Sequence, residues 1–543
     1  MYKGVGALVS LAALVLTAGA SAAGVSGDFD GDGRDDLAAG VGGQQVGGST
    51  GAGAVQVIYG SPNGLSSRDR IFNQNVLQEF AEPGDNLGSV LAAGDLNGDG
   101  FSDLVAGVPL DDLNGVGNAG VVHILYGSKQ GLRTKGNQLL TEADPGIGGS
   151  AEENDRFGYV LATGDLGRGG EDDLAITVRD ETVDGASQAG MVYVLYGSPT
   201  GLRRAGSRHF SQNTPGIADS AENGDGFGGA LAAGDFGRDR RADLAIGVDS
   251  EGWDTVSRAG AVHVLYGSRS GLRAKRSQLL TQNKLAGYPG QLTDEAETND
   301  FFGTALAAGE FGRGTRADLA IGAPGETLVV PAFDTFESAG VVNVVYGAAR
   351  GLRAKKDASQ YLIQNEASSI NNAEDNEFFG QSLVAGDLGR GHHADLAVSA
   401  PQETSVLGAA NSGGVNVIYG SASGLRLNKQ GDYFDQDSPG VEGDADEGDQ
   451  FGWQLTAGVF DGNGAGDLAI GIPNEDPPLG GPDPQPLIAN GGAVQVLHGF
   501  SAGVLTKGDR LITQGHDGLG GVIEASDHFG AGLAGALSGL PYG

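Results

Sequence analysis

The chain has 543 residues, no cysteine, 99 glycines, 18 prolines and a formal net charge of −36. Such a charge argues against nucleic-acid binding, which needs a basic face, and suits cations or basic partners. Without cysteine there is no disulfide framework and no thiolate metal site. The glycines follow no Gly-X-Y period and so suit tight turns between short strands.

The chain opens with Lys3, an apolar run from Val5 to Leu16, and Ala20-Ser21-Ala22. This is the pattern of a secretory signal peptide cut after Ala22, with a run short for a bilayer span. Residues 1–22 are therefore expected to be a leader and 23–543 a single exported domain, secreted or at the cell surface. No later segment is apolar enough to span a membrane, and a monomer is expected.

At Asp28 the chain enters DFDGDGRDD, with Asp28, Asp30, Asp32 and Asp36 at positions 1, 3, 5 and 9 and Gly33 at position 6. Four carboxylates in nine residues repel one another unless a cation sits between them. Oxygens at alternate positions around a turn suit Ca²⁺, which takes six to eight oxygen ligands, and the carbonyl of Arg34 at position 7 can add one. The start resembles an EF-hand loop, but no glutamate stands at position 12. A strand follows instead, so a calcium loop in a β-hairpin is predicted.

Versions of this loop begin at Asp28, Asp95, Asp165, Asp235, Glu310, Asp387 and Val459, 67 to 77 residues apart. A near-fixed period of this kind is one supersecondary unit repeated with loop insertions. The second loop supplies Asp95, Asn97, Asp99 and Asp103, with the Phe101 carbonyl at position 7. The seventh keeps Asp461, Asn463 and Asp467 but has Val459 at position 1. Loops three to six have glycine at position 3 and arginine at position 4 (Arg168, Arg238, Arg313, Arg390). A guanidinium forks well to two carboxylates, so each arginine is expected to bridge positions 1 and 9 in place of calcium.

Each repeat has four short β-rich segments bounded by glycine turns. In the third they are FGYVLATGD from Phe157, DLAIT from Asp173, AGMVYVLYGS from Ala189 and RHFSQN from Arg208. The turn after the third segment recurs as YGSPNGL at Tyr59, YGSKQGL at Tyr126, YGSRSGL at Tyr266 and YGSASGL at Tyr419. Four antiparallel strands in seven units predict an all-β, seven-bladed β-propeller. The chain starts without an FG segment and ends on one, Phe529 to Leu537. The C-terminal strand is therefore expected to complete the first blade and remove its open edge.

The motifs Phe157-Gly158, Phe227-Gly228, Phe302-Gly303, Phe379-Gly380, Phe451-Gly452 and Phe529-Gly530, with Gly322-Ala323-Pro324 as the second half, resemble FG-GAP repeats. These are the unit of the integrin alpha-subunit propeller. The resemblance implies the propeller fold and leaves function open, since the family spans adhesion receptors and an extracellular phospholipase.

A second acidic series precedes each FG. Five residues before it stand Glu82, Glu152, Glu222, Glu297, Glu374, Asp446 and Glu524; two before it stand Asp85, Asp155, Asp225, Asp300, Glu377, Asp449 and Asp527. These can cap turn N–H groups or form an anionic ring. Trp253 and the 333–336 segment are candidate contact residues, with a packing role as the alternative. No H-E-x-x-H, G-x-S-x-G or Walker-type motif occurs.

The expected function is a calcium-stabilised binding or adhesion module for an extracellular protein or glycan, meeting its ligand through loops 109–120, 248–260 and 324–340. The alternatives are an extracellular hydrolase acting on a glycan or lipid head group, and a structural surface-coat protein.

Overall fold

A computed structural model describes residues 27–77, 79–253, 255–285, 295–329, 335–355, 358–367, 373–427, 430–478, 487–516 and 518–534. The expected leader lies outside the described residues.

Blade four shows why the segments become strands. Ala230–Gly234, Asp243–Val248, Ala261–Tyr266 and Arg273–Leu280 hydrogen-bond in that order. The first three are buried along their whole length, because neighbouring blades cover both faces; their apolar residues are successive for that reason. The fourth, RAKRSQLL, exposes Arg273, Lys275 and Arg276 and buries Leu280. Charge on an outer strand discourages edge-to-edge pairing.

The same four-strand order builds seven sheets in all, so the molecule is a seven-bladed β-propeller of antiparallel blades. First strands pack against one another around a closed ring. The approach at the axis is close: a Cβ on Gly234 would meet the Ala308 and Ala317 side chains at 2.9 and 3.1 Å. Larger residues there would force the blades apart.

In blade one, Phe529–Ala534 pairs antiparallel with Leu37–Val41, placing Leu533 opposite Ala39. Ala54–Ile58 and Asp69–Phe72 follow outward. The C-terminal strand is thus the innermost strand of the first blade, as expected.

Two rings of backbone hydrogen bonds stitch the blades. At one end, the N–H at loop position 8 donates to the position-1 carbonyl of the preceding blade, as in Ser102 to Asp28, Ala242 to Asp165 and Ala317 to Asp235. At the other end, the N–H of the FG phenylalanine donates to the residue two before the preceding blade's third strand, as in Phe157 to Ala119 and Phe227 to Ala189.

Antiparallel connectivity sorts the loops. The acidic hairpins and the third-to-fourth-strand turns share one end of the blades, here the hairpin face. The second-to-third-strand loops and the blade-to-blade connections share the other, the loop face. The described residues of the insertions 109–120, 248–260 and 324–340 lie on the loop face, and in the last Leu328–Val329 pairs with Thr335–Phe336. Trp253 turns inward there. It packs on the core, and its Nε1 donates to the Gly260 carbonyl at 3.2 Å. Phe336 also packs on the core, while residue 333 lies outside the described residues. Among the described residues, no helix is long and apolar enough to cross a membrane.

Candidate functional site

Loop one folds on its own carboxylates. Asp28 Oδ1 accepts the N–H groups of Gly31 and Asp32 at 2.7 and 3.0 Å, and its Oδ2 accepts that of Gly33 at 2.8 Å. Asp36 accepts from Phe29 and Gly60, each at 2.9 Å. These bonds draw oxygens of Asp28, Asp30 and Asp36 within 4.8 Å of one another. Burial and the neighbouring carboxylates push Asp28 up and Asp36 up to about 8, against the backbone donors. Three carboxylates crowded in this way are a group that could hold a metal ion. Asp32 stands apart, turned to the Arg34 guanidinium at 3.1 Å. Arg68, from the turn before the fourth strand, pairs with Asp30 and lies 3.9 Å over the Tyr59 ring.

Loop two repeats the scheme. Asp95 accepts from Asp99 and Gly100 at 3.1 and 3.0 Å. Asp103 accepts from Leu96 and Gly127 at 3.0 and 2.9 Å, and burial pushes it up to about 8. Asn97 Oδ1 meets the Asp99 N–H at 2.9 Å, while Asp99 is exposed and accepts from Phe101 at 3.2 Å.

Loop seven gains a ligand candidate that its own nine residues do not contain. His498, from the third strand, places Nδ1 3.2 Å from Asp467 Oδ1, and Asp461, Asp467 and His498 form a three-ligand group. His498 stands where the YGS turns of other blades have tyrosine, so register with those turns could have located it. Asn463 is occupied otherwise: its Nδ2 donates to Asp461 and to the Gly499 carbonyl, both at 2.9 Å.

In loops three to six, the arginine at position 4 does not bridge positions 1 and 9. Arg168, Arg238, Arg313 and Arg390 stack over Tyr196, Tyr266, Tyr346 and Tyr419 at 4.0, 3.4, 4.2 and 4.1 Å. Each Nε donates to a carbonyl of the next blade, Ser270, Arg350, Ser423 or Ala502. The reason is conformational. Position 4 has positive φ in every loop, +71° at Gly31 and +78° at Arg238 among them, and that geometry sends the side chain outward along the hairpin face, away from the loop's interior.

A basic side chain does reach position 1, from the neighbouring blade. Arg316, at position 7 of loop five, pairs with Asp235 of loop four. His393, at position 7 of loop six, lies 2.8 Å from Glu310 of loop five. Burial pushes the Asp165 carboxyl up, and the charge of Arg241, at position 7 of loop four, offsets part of that rise. Single-loop reasoning missed this because the partner lies in the next repeat.

The second acidic series divides by depth. Asp85, Asp155 and Asp225 are buried and accept the N–H of the residue three before them at 2.7, 2.5 and 2.6 Å, as capping predicts. Glu82, Glu152, Glu222, Glu297, Glu374 and Asp446 are exposed on the loop face. A cleft of about 250 Å³ opens there across blades seven, one and two, lined by Asn86, Gln450, Trp453, Asn474 and His528.

The ring of blades and the acidic hairpins define a repeat β-propeller with built-in candidate cation loops. The FG-GAP repeat family matches residues 20–58, 87–125 and 227–265, so this chain carries FG-GAP repeats and resembles the integrin alpha-subunit propeller. It is 28% identical over 228 residues to phosphatidylinositol-glycan-specific phospholipase D of Rattus norvegicus, across 42% of this chain and 24% of the relative. To integrin alpha-PS2 of Drosophila melanogaster it is 32% identical over 234 residues, across 42% and 15%. To integrin alpha-8 of Mus musculus it is 30% identical over 240 residues, across 44% and 20%. The matches therefore span a quarter or less of each of these relatives' lengths.

Proposed function

We propose that this protein is an exported, calcium-stabilised binding module whose ligand docks on the loop face, opposite the acidic hairpins. The carrying observation is where apolar surface stays exposed. Val76, Phe80, Val329, Val406, Leu407, Leu487 and Val522 all sit in second-to-third-strand loops or blade-to-blade connections; only Leu505, among the described large apolar side chains left exposed, does not. Exposed apolar groups rimmed by polar ones mark contact sites, and the exposed glutamates among them favour a partner with basic as well as apolar side chains. An extracellular protein fits that chemistry.

Calcium held by Asp28, Asp30 and Asp36, and by Asp95, Asn97 and Asp103, would stiffen the hairpin face and fix the blades that present the loops. The leader pattern at residues 1–22 supports export into a calcium-rich space. The test is a binding screen against extracellular proteins and glycans, with and without Ca²⁺, repeated with Phe80→Ser plus Leu407→Ser and with Leu505→Ser. Binding lost in the first variant and kept in the second supports the reading. A partner indifferent to the loop-face changes would refute it.

A second reading is a glycan in the cleft, where the Trp453 indole and the amides of Asn86, Gln450 and Asn474 suit a polyhydroxyl ligand. Trp453→Ala should then abolish glycan binding and leave protein binding intact. Turnover of a glycan or phospholipid head group would instead favour the hydrolase alternative.

A further inference from the structure

On the loop face, every seam between blades carries a buried polar contact at the end of the fourth strand. In six of the seven seams the donor is a glutamine: Gln74, Gln212, Gln282, Gln364, Gln436 or Gln514. Its Nε2 bonds an acid or amide of the next blade, as in Gln212 to Glu251 at 2.5 Å, Gln282 to Glu326 at 2.6 Å and Gln514 to Gln44 at 3.1 Å. The amide satisfies the acceptor oxygen with a hydrogen bond and adds no charge.

The seam between blades two and three departs from this. Glutamate stands in place of glutamine, at Glu142, and meets Glu181 of the next blade and the FG-capping Asp155. Oxygens of all three lie within 4.8 Å of one another. Glu142 is 1% exposed and Asp155 4%. Tyr193 Oη donates to Glu142 Oε1 at 2.7 Å, which fixes that carboxylate. Its other oxygen, Oε2, is buried with no hydrogen-bond partner, and so is Glu181 Oε2. Gly149 roofs the cluster, where a Cβ would lie 2.1 Å from Glu142 Oε1 and 2.5 Å from Tyr193 Oη.

We propose that Glu142, Asp155 and Glu181 form a further cation site, on the face opposite the acidic hairpins, which takes a hard divalent ion of calcium's size. Oxygens bound to one calcium at 2.3 to 2.6 Å are no more than about 5 Å apart, and this triad meets that limit. A buried carboxylate oxygen without a donor is costly, and two of them belong to this cluster. Burial, then the neighbouring carboxylates, pushes Glu142 up to about 8 and Glu181 up to about 7, as expected of carboxylates crowded together away from water. The ion would tie blade two to blade three where glutamine does so in the other seams.

Glu142→Gln restores the residue found in those six seams and so preserves the fold. Calorimetric titration with CaCl₂ should show one ion fewer than the parent, and the calcium-induced rise in Tm should shrink. In chelator the variant should melt no lower than the parent. Glu181→Gln should give the same loss. Equal stoichiometry and an equal calcium-induced rise would overturn the proposal. So would a variant that only melts higher in chelator, since the three acids would then be sharing protons. The hairpin sites are separable: the same loss of one ion is expected in an Asp28→Asn plus Asp95→Asn background. If the hairpins bind no calcium, the parent takes one ion and Glu142→Gln takes none.

Discussion

Asp35 and Val459 join the two ends of the propeller by a reciprocal pair of hydrogen bonds. The Asp35 N–H donates to the Val459 carbonyl at 3.1 Å, and Asp35 Oδ2 accepts the Val459 N–H at 2.8 Å. The first bond is the closing member of the ring that links every blade to the one before it. The second recurs between Asp172 and Asp95 at 3.0 Å. Asp35 is fully buried and Val459 half-buried, so Asp35→Ala leaves the Val459 N–H without its acceptor and should cost about 1 kcal/mol, read as a lower urea midpoint.

Ending the chain at Ser526 removes Phe529 and Leu533, both buried in the first blade's cluster. It also exposes the inner edge of Leu37–Val41. Loss of cooperative unfolding, or a large fall in Tm, is expected for the whole domain. A truncated protein that melts like its parent would show that the C-terminal strand is not needed for closure.

Arg238 separates two roles for position 4. Arg238→Ala removes the stack on Tyr266 and the bond to the Arg350 carbonyl while keeping a non-glycine residue at φ +78°. It should destabilise by about 1 kcal/mol. Arg238→Gly loses the same contacts and gains a residue suited to that φ, so it should be the milder change. Neither should couple to Asp235→Asn plus Asp243→Asn in a mutant cycle, whereas Arg316→Ala should couple to Asp235→Asn.

Gly351 tests the tyrosine seams. Its φ is +106°, and a Cβ there would lie 2.2 Å from Tyr266 Oη, which also accepts the Leu352 N–H at 3.1 Å. Gly351→Ala should cost at least about 1–3 kcal/mol. Adding Tyr266→Phe, which removes the clashing oxygen, should recover part of the loss in denaturant melts.

The position-9 carboxylates of loops five and six give a pH signature. Burial, against two backbone donors each, pushes Asp318 and Asp395 up to about 8, above the unfolded value of 3.8. The folded state then holds more protons than the unfolded state between these values, so the stability they confer is full near pH 4 and lost as pH rises through about 8. In chelator, Tm should fall from about pH 5 to about pH 9. The calcium-induced increment should grow over the same range, because the ion binds the deprotonated acids. A flat profile in chelator would contradict these shifts.

The repeat, the strand types, the blade number and the closing role of the C-terminal segment were legible in the sequence, because each is set by local patterning: successive apolar residues, glycine turns and an offset of one strand between the two ends. The crowding of Asp28, Asp30 and Asp36 was legible for the same reason, since a nine-residue turn brings alternate side chains together. What required the tertiary structure is the set of contacts between segments far apart in the chain. Arg316 meets Asp235 and Glu142 meets Glu181 across seams between blades, and His498 meets Asp467 between the third and second strands of one blade. Position 4 was misread for a related reason. Its arginines are paired by backbone φ and by the neighbouring blade's carbonyls, and a linear sequence displays neither.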